Sequence, residues 1–326
     1  MSASTVYRYQ VFISRPDISR LVTSFLKDYD LDIWHKEEVM SRDEFLKRIH
    51  GKDALFIHSG DRIDAEALDS AGNNLKVIAT LSSGYNHIDV PEVKKRGIKI
   101  GYTAGILNDA VASMAILLLL SITRKSFESH RQITEGKWQD YQGWFWMNGF
   151  GLKDSVIGIF GLGGIGMEVA RRLVPFKPAK ILYVSRKVKP EADEVKAVRV
   201  DLEQLLKESD IVILTSSLND ETRGIINEER LGLMKRTAFI VNVSRGAVID
   251  QDALLRALKN KTICGAALDV MTPEPIRPDN ELLHLDNCVT TPHIGSGEVA
   301  TREAMIELTC KNIIAGLNGR PLPMEL

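Results

Sequence analysis

The chain of 326 residues has little of what marks a specialised environment. Cysteine is scarce: Cys264, Cys288 and Cys310 are an odd number at wide spacings. That pattern excludes a disulfide framework and a zinc site, so no metal is expected, and it fits thiols in a reducing compartment. An excess of one charge sign is also missing. Lys and Arg number 42 against 43 Asp and Glu, for a formal net charge of -1, and the cations are scattered. Nothing there selects a polyanion, and no nucleic-acid partner is expected. Long apolar runs are absent. The longest, MAILLLL at 114–120, is far short of the ~20 residues a bilayer requires and reads as a buried helix, so no membrane partner is expected. The opening MSASTVYRYQ lacks the apolar core of a signal peptide. A soluble cytoplasmic protein is the expectation.

What is present is alternation. Short β-branched runs at 9–14, 31–35, 54–58, 76–82 and 98–103 are separated by amphipathic stretches. One of these opens at Ser41 with Glu44 three residues on, a capping-box pattern. A long apolar helix is predicted over about 108–125. A second series of strands follows at 155–160, 180–185, 210–216, 238–244, 262–270 and 287–294, with a last helix over 298–316. Strand–helix alternation implies parallel sheets covered on both faces. The fold class is therefore α/β with two doubly wound parallel-sheet domains. The first is expected to be discontinuous, 1–105 plus 297–326, because the final helix follows the last strand of the second series. The second spans 106–296. Between the two series lies EGKWQDYQGWFWMNGFG (135–151), with three of the four tryptophans. It reads either as a loop with a local aromatic core or as an arm packed on another subunit.

The stretch VIGIFGLGGIGMEVARRL holds Gly161-x-Gly163-x-x-Gly166 between an apolar strand and a helix, with a further strand KILYVS about 20 residues on. The glycine spacing alone is weak. In this context it is a dinucleotide-binding βαβ unit. Gly161 permits the tight turn, Gly163 lets a pyrophosphate approach the backbone, and Gly166 lets helix and strand pack closely. The second strand of an NAD-binding unit ordinarily ends in an acid that accepts from the ribose hydroxyls. Here Ser185, Arg186 and Lys187 stand in its place. A hydroxyl and two cations suit a 2′-phosphate, so NADPH is favoured, with NADH the other option.

Ligands of such sheets bind beyond the carboxyl ends of the strands. Arg245, Asp269, Glu274 and His293 all fall there. Singly, each has an ordinary account: a solvated cap, a turn residue, a surface imidazole. Beside a nucleotide loop they become a cation, carboxylates and an imidazole with work to do.

The chain resembles the D-isomer-specific 2-hydroxyacid dehydrogenases, and within them the glyoxylate/hydroxypyruvate reductases, through LSSGYNHIDV, GIFGLGGIGMEVARRL, NVSRGAVIDQDAL, GAALDVMTPEP and TPHIGS. The resemblance spans essentially the whole chain. It implies a flavodoxin-like substrate domain and a Rossmann NAD(P)-binding domain, with a dimerisation arm about 126–150 and a homodimer. It implies NADPH-dependent reduction of a small 2-keto acid, glyoxylate or hydroxypyruvate, to glycolate or D-glycerate. His293 would be the general acid, Glu274 would orient it, and Arg245 would bind the substrate carboxylate and keto oxygen. Ser83, Gly84 and Ser296 would complete the substrate site, in a cleft between the domains. The cofactor would meet Gly161, Leu162, Gly163, Gly164, Ile165 and Gly166, then Ser185, Arg186, Lys187, Ser216, Ser217, Val243, Asp269 and Gly295. Two positions depart from the family pattern. Ser113 stands where many relatives carry Glu, and Gly164 where relatives often carry Arg.

Two alternatives stay open. One is another D-2-hydroxyacid dehydrogenase, of D-lactate or phosphoglycerate type. Glu274 argues against a formate dehydrogenase, which usually carries Gln there, and the long phosphoglycerate type would add a regulatory domain. The other is a non-catalytic NAD(P)-sensing corepressor, which usually adds disordered tails.

Overall fold

The computed structural model describes residues 8–16, 18–139 and 143–326. Asp140, Tyr141 and Gln142, inside the tryptophan-rich segment, lie outside the described residues. The chain divides into two compact units, residues up to Leu107 with Glu298–Leu326, and Asn108–Gly297. Both divisions fall where a helix starts. Asn108 opens the helix Asn108–Thr123, and Glu298 is the N-cap position of the helix Val299–Leu317.

In the first unit the strands are β1 (Gln10–Ile13), β2 (Asp30–Ile33), β3 (Ala54–Ile57), β4 (Val77–Thr80) and β5 (Lys99–Gly101). All pair in parallel, in the order β2-β1-β3-β4-β5. This is the flavodoxin-like order. The central strands β3 and β4 are buried at every position, as unbroken apolar runs in a sheet covered on both faces must be. Local signals agree with the sheet. Ser41 Oγ accepts from the Glu44 N–H at 3.3 Å, and Asp64 and Asp89 cap the next two helices in the same way.

The chain returns to this sheet through Val299–Leu317. Asn312 is fully buried there; its Nδ2 donates to Tyr102 O at 3.3 Å and its Oδ1 accepts from Met324 N at 3.0 Å. Gly316 lets the helix approach β4: a Cβ placed on it would lie 2.6 Å from Cβ of Val77.

The second unit holds β6 (Val156–Phe160), β7 (Lys180–Val184), β8 (Val198–Arg199), β9 (Ile211–Leu214), β10 (Phe239–Asn242), β11 (Gly265–Leu268) and β12 (Cys288–Thr290). They too are parallel, in the order β12-β11-β10-β9-β6-β7-β8. The chain winds outward from β6 to β8, then starts again at β9 on the other side of β6. That reversal is the switch point at which doubly wound sheets bind ligands. The edge strand β8 has only two residues, and no apolar pattern in the sequence marks it.

The helix Asn108–Thr123 packs on the helix Gly164–Leu173. Its apolar run is not buried all round: Leu118 and Leu119 are inside, whereas Leu117 is 54% exposed. Among the described residues no single helix is long and apolar enough to cross a membrane. Beyond it, the helix Ser126–Thr134 has no buried residue, and Trp144 and Phe145 are almost fully exposed. The excursion closes where it began, with Phe150 N donating to Thr123 O at 2.8 Å. The three cysteines are free thiols, and burial pushes Cys288 and Cys310 up to about 12.

Because Val77 Cβ is fixed to a buried strand, Gly316→Ala should cost about 1–3 kcal/mol and lower the melting temperature, against the usual gain of alanine in a helix. An unchanged or raised melting temperature would show that the helix does not sit this close.

Candidate functional site

In the second unit, pairing brings the strand ends into line. Leu214 pairs with Asn242, Asn242 with Leu268, and Leu268 with Thr290. The residues that follow each strand therefore emerge along one edge of the sheet. These are Ser216 and Ser217 after β9, Val243 and Arg245 after β10, Asp269 after β11 and His293 after β12.

Asp269 is 2% exposed, and both of its carboxylate oxygens are engaged. Oδ1 accepts from Thr291 Oγ1 at 2.6 Å and from Ile294 N at 2.9 Å; Oδ2 accepts from Gly295 N at 2.8 Å. The main chain joins in, with His293 N donating to Asp269 O at 2.9 Å. This knot shapes the turn 291–295. His293 has φ 53 there, the left-handed region that a side chain occupies only at a cost of roughly 1–2 kcal/mol. A carboxylate accepting several hydrogen bonds is strong enough to hold it. Gly295 lies so close to Asp269 that an added Cβ would be 2.9 Å from Oδ2.

The turn presents the imidazole to Glu274, with His293 Nδ1 and Glu274 Oε2 2.7 Å apart. The other carboxylate oxygen, Oε1, accepts from Met271 N at 2.9 Å. A carboxylate can only accept, so Nδ1 carries a hydrogen and Nε2 is the nitrogen left for chemistry. On Glu274, partial burial works to raise the carboxyl. The His293 hydrogen bond and charge, the Met271 N–H and Arg245 outweigh it and hold the group below its ordinary value of 4.5. Arg245 leaves β10 with its Nη1 donating to Ser244 O at 2.6 Å, while Asn242 Nδ2 donates to Arg245 O at 3.0 Å. Burial lowers its guanidinium and Glu274 opposes the shift; an arginine keeps its charge regardless.

The glycine loop follows β6. Gly161 has φ 106, and a Cβ on it would lie 2.7 Å from the Ser216 backbone. A Cβ on Gly166 would lie 2.3 Å from Gly161 O, so the helix cannot sit here with any larger residue. Gly163, at the N-cap, faces open space. The donor end of the helix Gly164–Leu173 thus meets a cleft of about 280 Å³, lined by Asn108, Leu162, Gly163, Met167 and Lys189 among others. Free helix N–H groups and the positive dipole end suit a phosphate. Ser216 Oγ is buried beside the loop with no hydrogen-bond partner among the described residues. These features fit a bound dinucleotide. At Gly164 the space an added side chain would take is filled by Asn108, whose Nδ2 would be 2.3 Å from a Cβ. Asn108 was not singled out from the sequence. Ser185, Arg186 and Lys187 follow β7, with Arg186 and Lys187 exposed. Lys189 and Arg199, also not singled out, stand next to them.

In the first unit, the loop after β4 carries Ser83 and Gly84. Ser82 Oγ donates to Gly84 O at 2.7 Å, which uses its one hydrogen. Thr80 Oγ1, 2.8 Å away, must then donate to Ser82, and His87 Nε2 must donate to Thr80 Oγ1 at 3.0 Å. The proton order along this chain is set, and so is the shape of the Ser83–Gly84 turn. Among the described residues no group of three or more His, Cys, Asp or Glu is placed to hold a metal.

The depressed Glu274 carboxyl gives a pH test. A carboxylate held below its unfolded value stabilises the fold above that value, and the contribution fades as pH falls through the folded one. The stability gap between wild type and Glu274→Gln should shrink as pH falls below about 4.5. A gap that does not change with pH down to the acid transition would contradict the pairing.

Comparison with known proteins places this geometry. A sequence model of the D-isomer specific 2-hydroxyacid dehydrogenase NAD binding domain matches residues 116–295. The glyoxylate reductase/hydroxypyruvate reductase of Mus musculus is 41% identical over 320 residues, 97% of each chain. Among solved structures, a glyoxylate reductase from Paecilomyes thermophila superposes with a TM-score of 0.88 at 29% identity, covering 98% of both chains. The NADPH-dependent glyoxylate/hydroxypyruvate reductase of Sinorhizobium meliloti, solved with NADP and malonate, gives 0.85 at 26% identity over 98% of this chain and 97% of its own. With the strand order, the glycine loop and the Arg245–Glu274–His293 constellation, these matches establish that the chain belongs to the D-isomer specific 2-hydroxyacid dehydrogenase family.

Proposed function

We propose that the protein reduces a small 2-keto acid, glyoxylate or hydroxypyruvate, with NADPH as the hydride donor. The observation that carries this reading is the His293–Glu274 pair at 2.7 Å, which leaves Nε2 of His293 as a proton donor. When bound, the reduced nicotinamide supplies a hydride to the carbonyl carbon. His293 Nε2 delivers a proton to the keto oxygen, a contribution of ~10²–10⁴-fold. Glu274 holds the ring and balances the imidazolium charge. Arg245 binds the carboxylate and keto oxygen, and its fixed charge stabilises the developing alkoxide. Ser296, next to Gly295, completes the pocket floor. Asp269 keeps the His293 turn in shape, and Gly295 leaves room at the nicotinamide end.

Gly161–Gly166 would hold the cofactor's phosphates, with Leu162 and Ile165 in the same loop; Ser216, Ser217 and Val243 follow along the sheet edge. Arg186 and Lys187 would hold the 2′-phosphate, with Ser185 fixing the turn beneath them through its bond to Lys187 O, and the basic turn supports NADPH over NADH. Names among the relatives support the keto acids: the mouse protein is a glyoxylate reductase/hydroxypyruvate reductase. The exposed Trp144 and Phe145, beside a helix with no buried residue, support a homodimer joined through this arm. Three free thiols suit a reducing, cytoplasmic setting.

Absorbance loss from NADPH with glyoxylate, hydroxypyruvate or pyruvate tests the reading; no turnover of any 2-keto acid would leave a nucleotide-sensing protein instead. His293→Gln should lose ~10²–10⁴-fold in kcat with the fold intact, and wild-type kcat would remove His293 from the chemistry. Arg186→Ala should raise the KM for NADPH well above any change for NADH, whereas equal weakening would reject its phosphate contact.

A further inference from the structure

The turn after β7 is held from outside by a residue with no place in the reading above. Arg199, in the edge strand β8, donates through Nε and Nη2 to Ser185 O at 3.2 and 2.9 Å, and through Nη2 to Arg186 O at 3.2 Å. Ser185 Oγ in turn donates to Lys187 O at 2.5 Å. Three successive carbonyls of the turn are thereby used as acceptors. β8 pairs with β7 in register at Tyr183 and Arg199, which sets the guanidinium level with the turn. Tyr183 adds a further tie, its hydroxyl accepting from Lys189 N at 3.3 Å.

The charge around this turn is also distinctive. Arg186, Lys187, Lys189 and Arg199 form no ion pair among the described residues. Arg171 and Arg172, on the helix nearby, are matched by Glu168, Glu194 and Asp109. These four cations without carboxylate partners are gathered at the turn and its edge strand, and Lys189 also lines the cleft, together with Glu191.

We infer that Arg199 is a positioning residue for the cofactor's 2′-phosphate: by binding the carbonyls of Ser185 and Arg186, it sets the turn so that Arg186 and Lys187 face that phosphate as donors, while the Ser185 hydroxyl is spent on holding the turn. The inference rests on the NADPH reading. Its physical basis is twofold. Unclamped, two carbonyl oxygens bearing partial negative charge would be free to turn toward an anion of about -1.5 to -2 charge. Clamped, they are directed to the guanidinium, and the loop loses less freedom when the phosphate binds.

The test separates the inference from the reading beneath it. Wild type, Arg199→Met and Arg199→Lys are titrated calorimetrically with 2′,5′-ADP and with 5′-AMP, which differ by the 2′-phosphate. Wild type should bind 2′,5′-ADP the more tightly. Arg199→Met should lose about tenfold of that preference, the scale of a charge-assisted hydrogen bond, with 5′-AMP binding and melting temperature unchanged. Arg199→Lys, which keeps the charge but not the fork across two carbonyls, should fall between. If wild type prefers 2′,5′-ADP and Arg199→Met keeps the full preference, or weakens both ligands equally, the positioning role is overturned while the NADPH reading stands. If wild type shows no preference, the NADPH reading fails and the inference with it.

Discussion

Buried in the second unit, the Asp269 carboxylate binds Thr291 Oγ1 and the N–H groups of Ile294 and Gly295, and the rest of the site is arranged around that knot. A bare carboxylate inside a protein is costly. Among the described residues its oxygens are satisfied by the turn 291–295, so the two persist together. The turn carries His293 in a left-handed conformation it would not choose alone. Pro292 restricts the chain just before it, and the small residues Gly295 and Ser296 follow. The turn and the hydrogen bond to Glu274 together restrict how the imidazole is oriented.

The electrostatics follow a similar division of labour. Glu274 fixes one nitrogen of the ring by a 2.7 Å hydrogen bond and has its second oxygen fixed by Met271 N, so the acid is itself held. Arg245 leaves the neighbouring strand as a partly buried cation, backed by Asn242. At the other end of the sheet edge are the free N–H groups of the helix Gly164–Leu173 and the basic turn after β7. On the proposed reading, the cations and donors would meet the negative charge of a reduced pyridine nucleotide and a small keto acid, with the acids behind them as supports.

Much of this was legible in the sequence. Every strand but β8 read clearly, the central ones because parallel strands buried on both faces are continuous apolar runs, and Gly161, Gly163 and Gly166 could be interpreted because a strand preceded and a helix followed. Arg245, Glu274 and His293 could be picked out as strand-end residues. Other features were not legible, for reasons that are physical. The edge strand Val198–Arg199 is too short to show a pattern, so Arg199 escaped notice; the outward winding of a Rossmann unit, which demands a third strand there, was the one available signal. Asn108 fills the space at Gly164 across 56 positions of sequence, a contact no local rule reveals. Asp269 reads as one more strand-end acid; that both of its oxygens are spent on the His293 turn depends on how β11 and β12 pair. The run at 114–120 reads as wholly buried, yet Leu117 faces outward, because apolar character alone does not say which neighbour covers a helix face.

The central claim is that His293, Glu274 and Arg245 converge on the carbonyl of a small 2-keto acid. A crystal structure with NADPH and oxamate, an unreactive keto-acid mimic, tests it most directly. The account predicts His293 Nε2 and the Arg245 guanidinium both within hydrogen-bond distance of the oxygen that stands for the keto group, with Glu274 still on Nδ1. Oxamate bound elsewhere, or held with Nε2 turned away from it, would contradict the account.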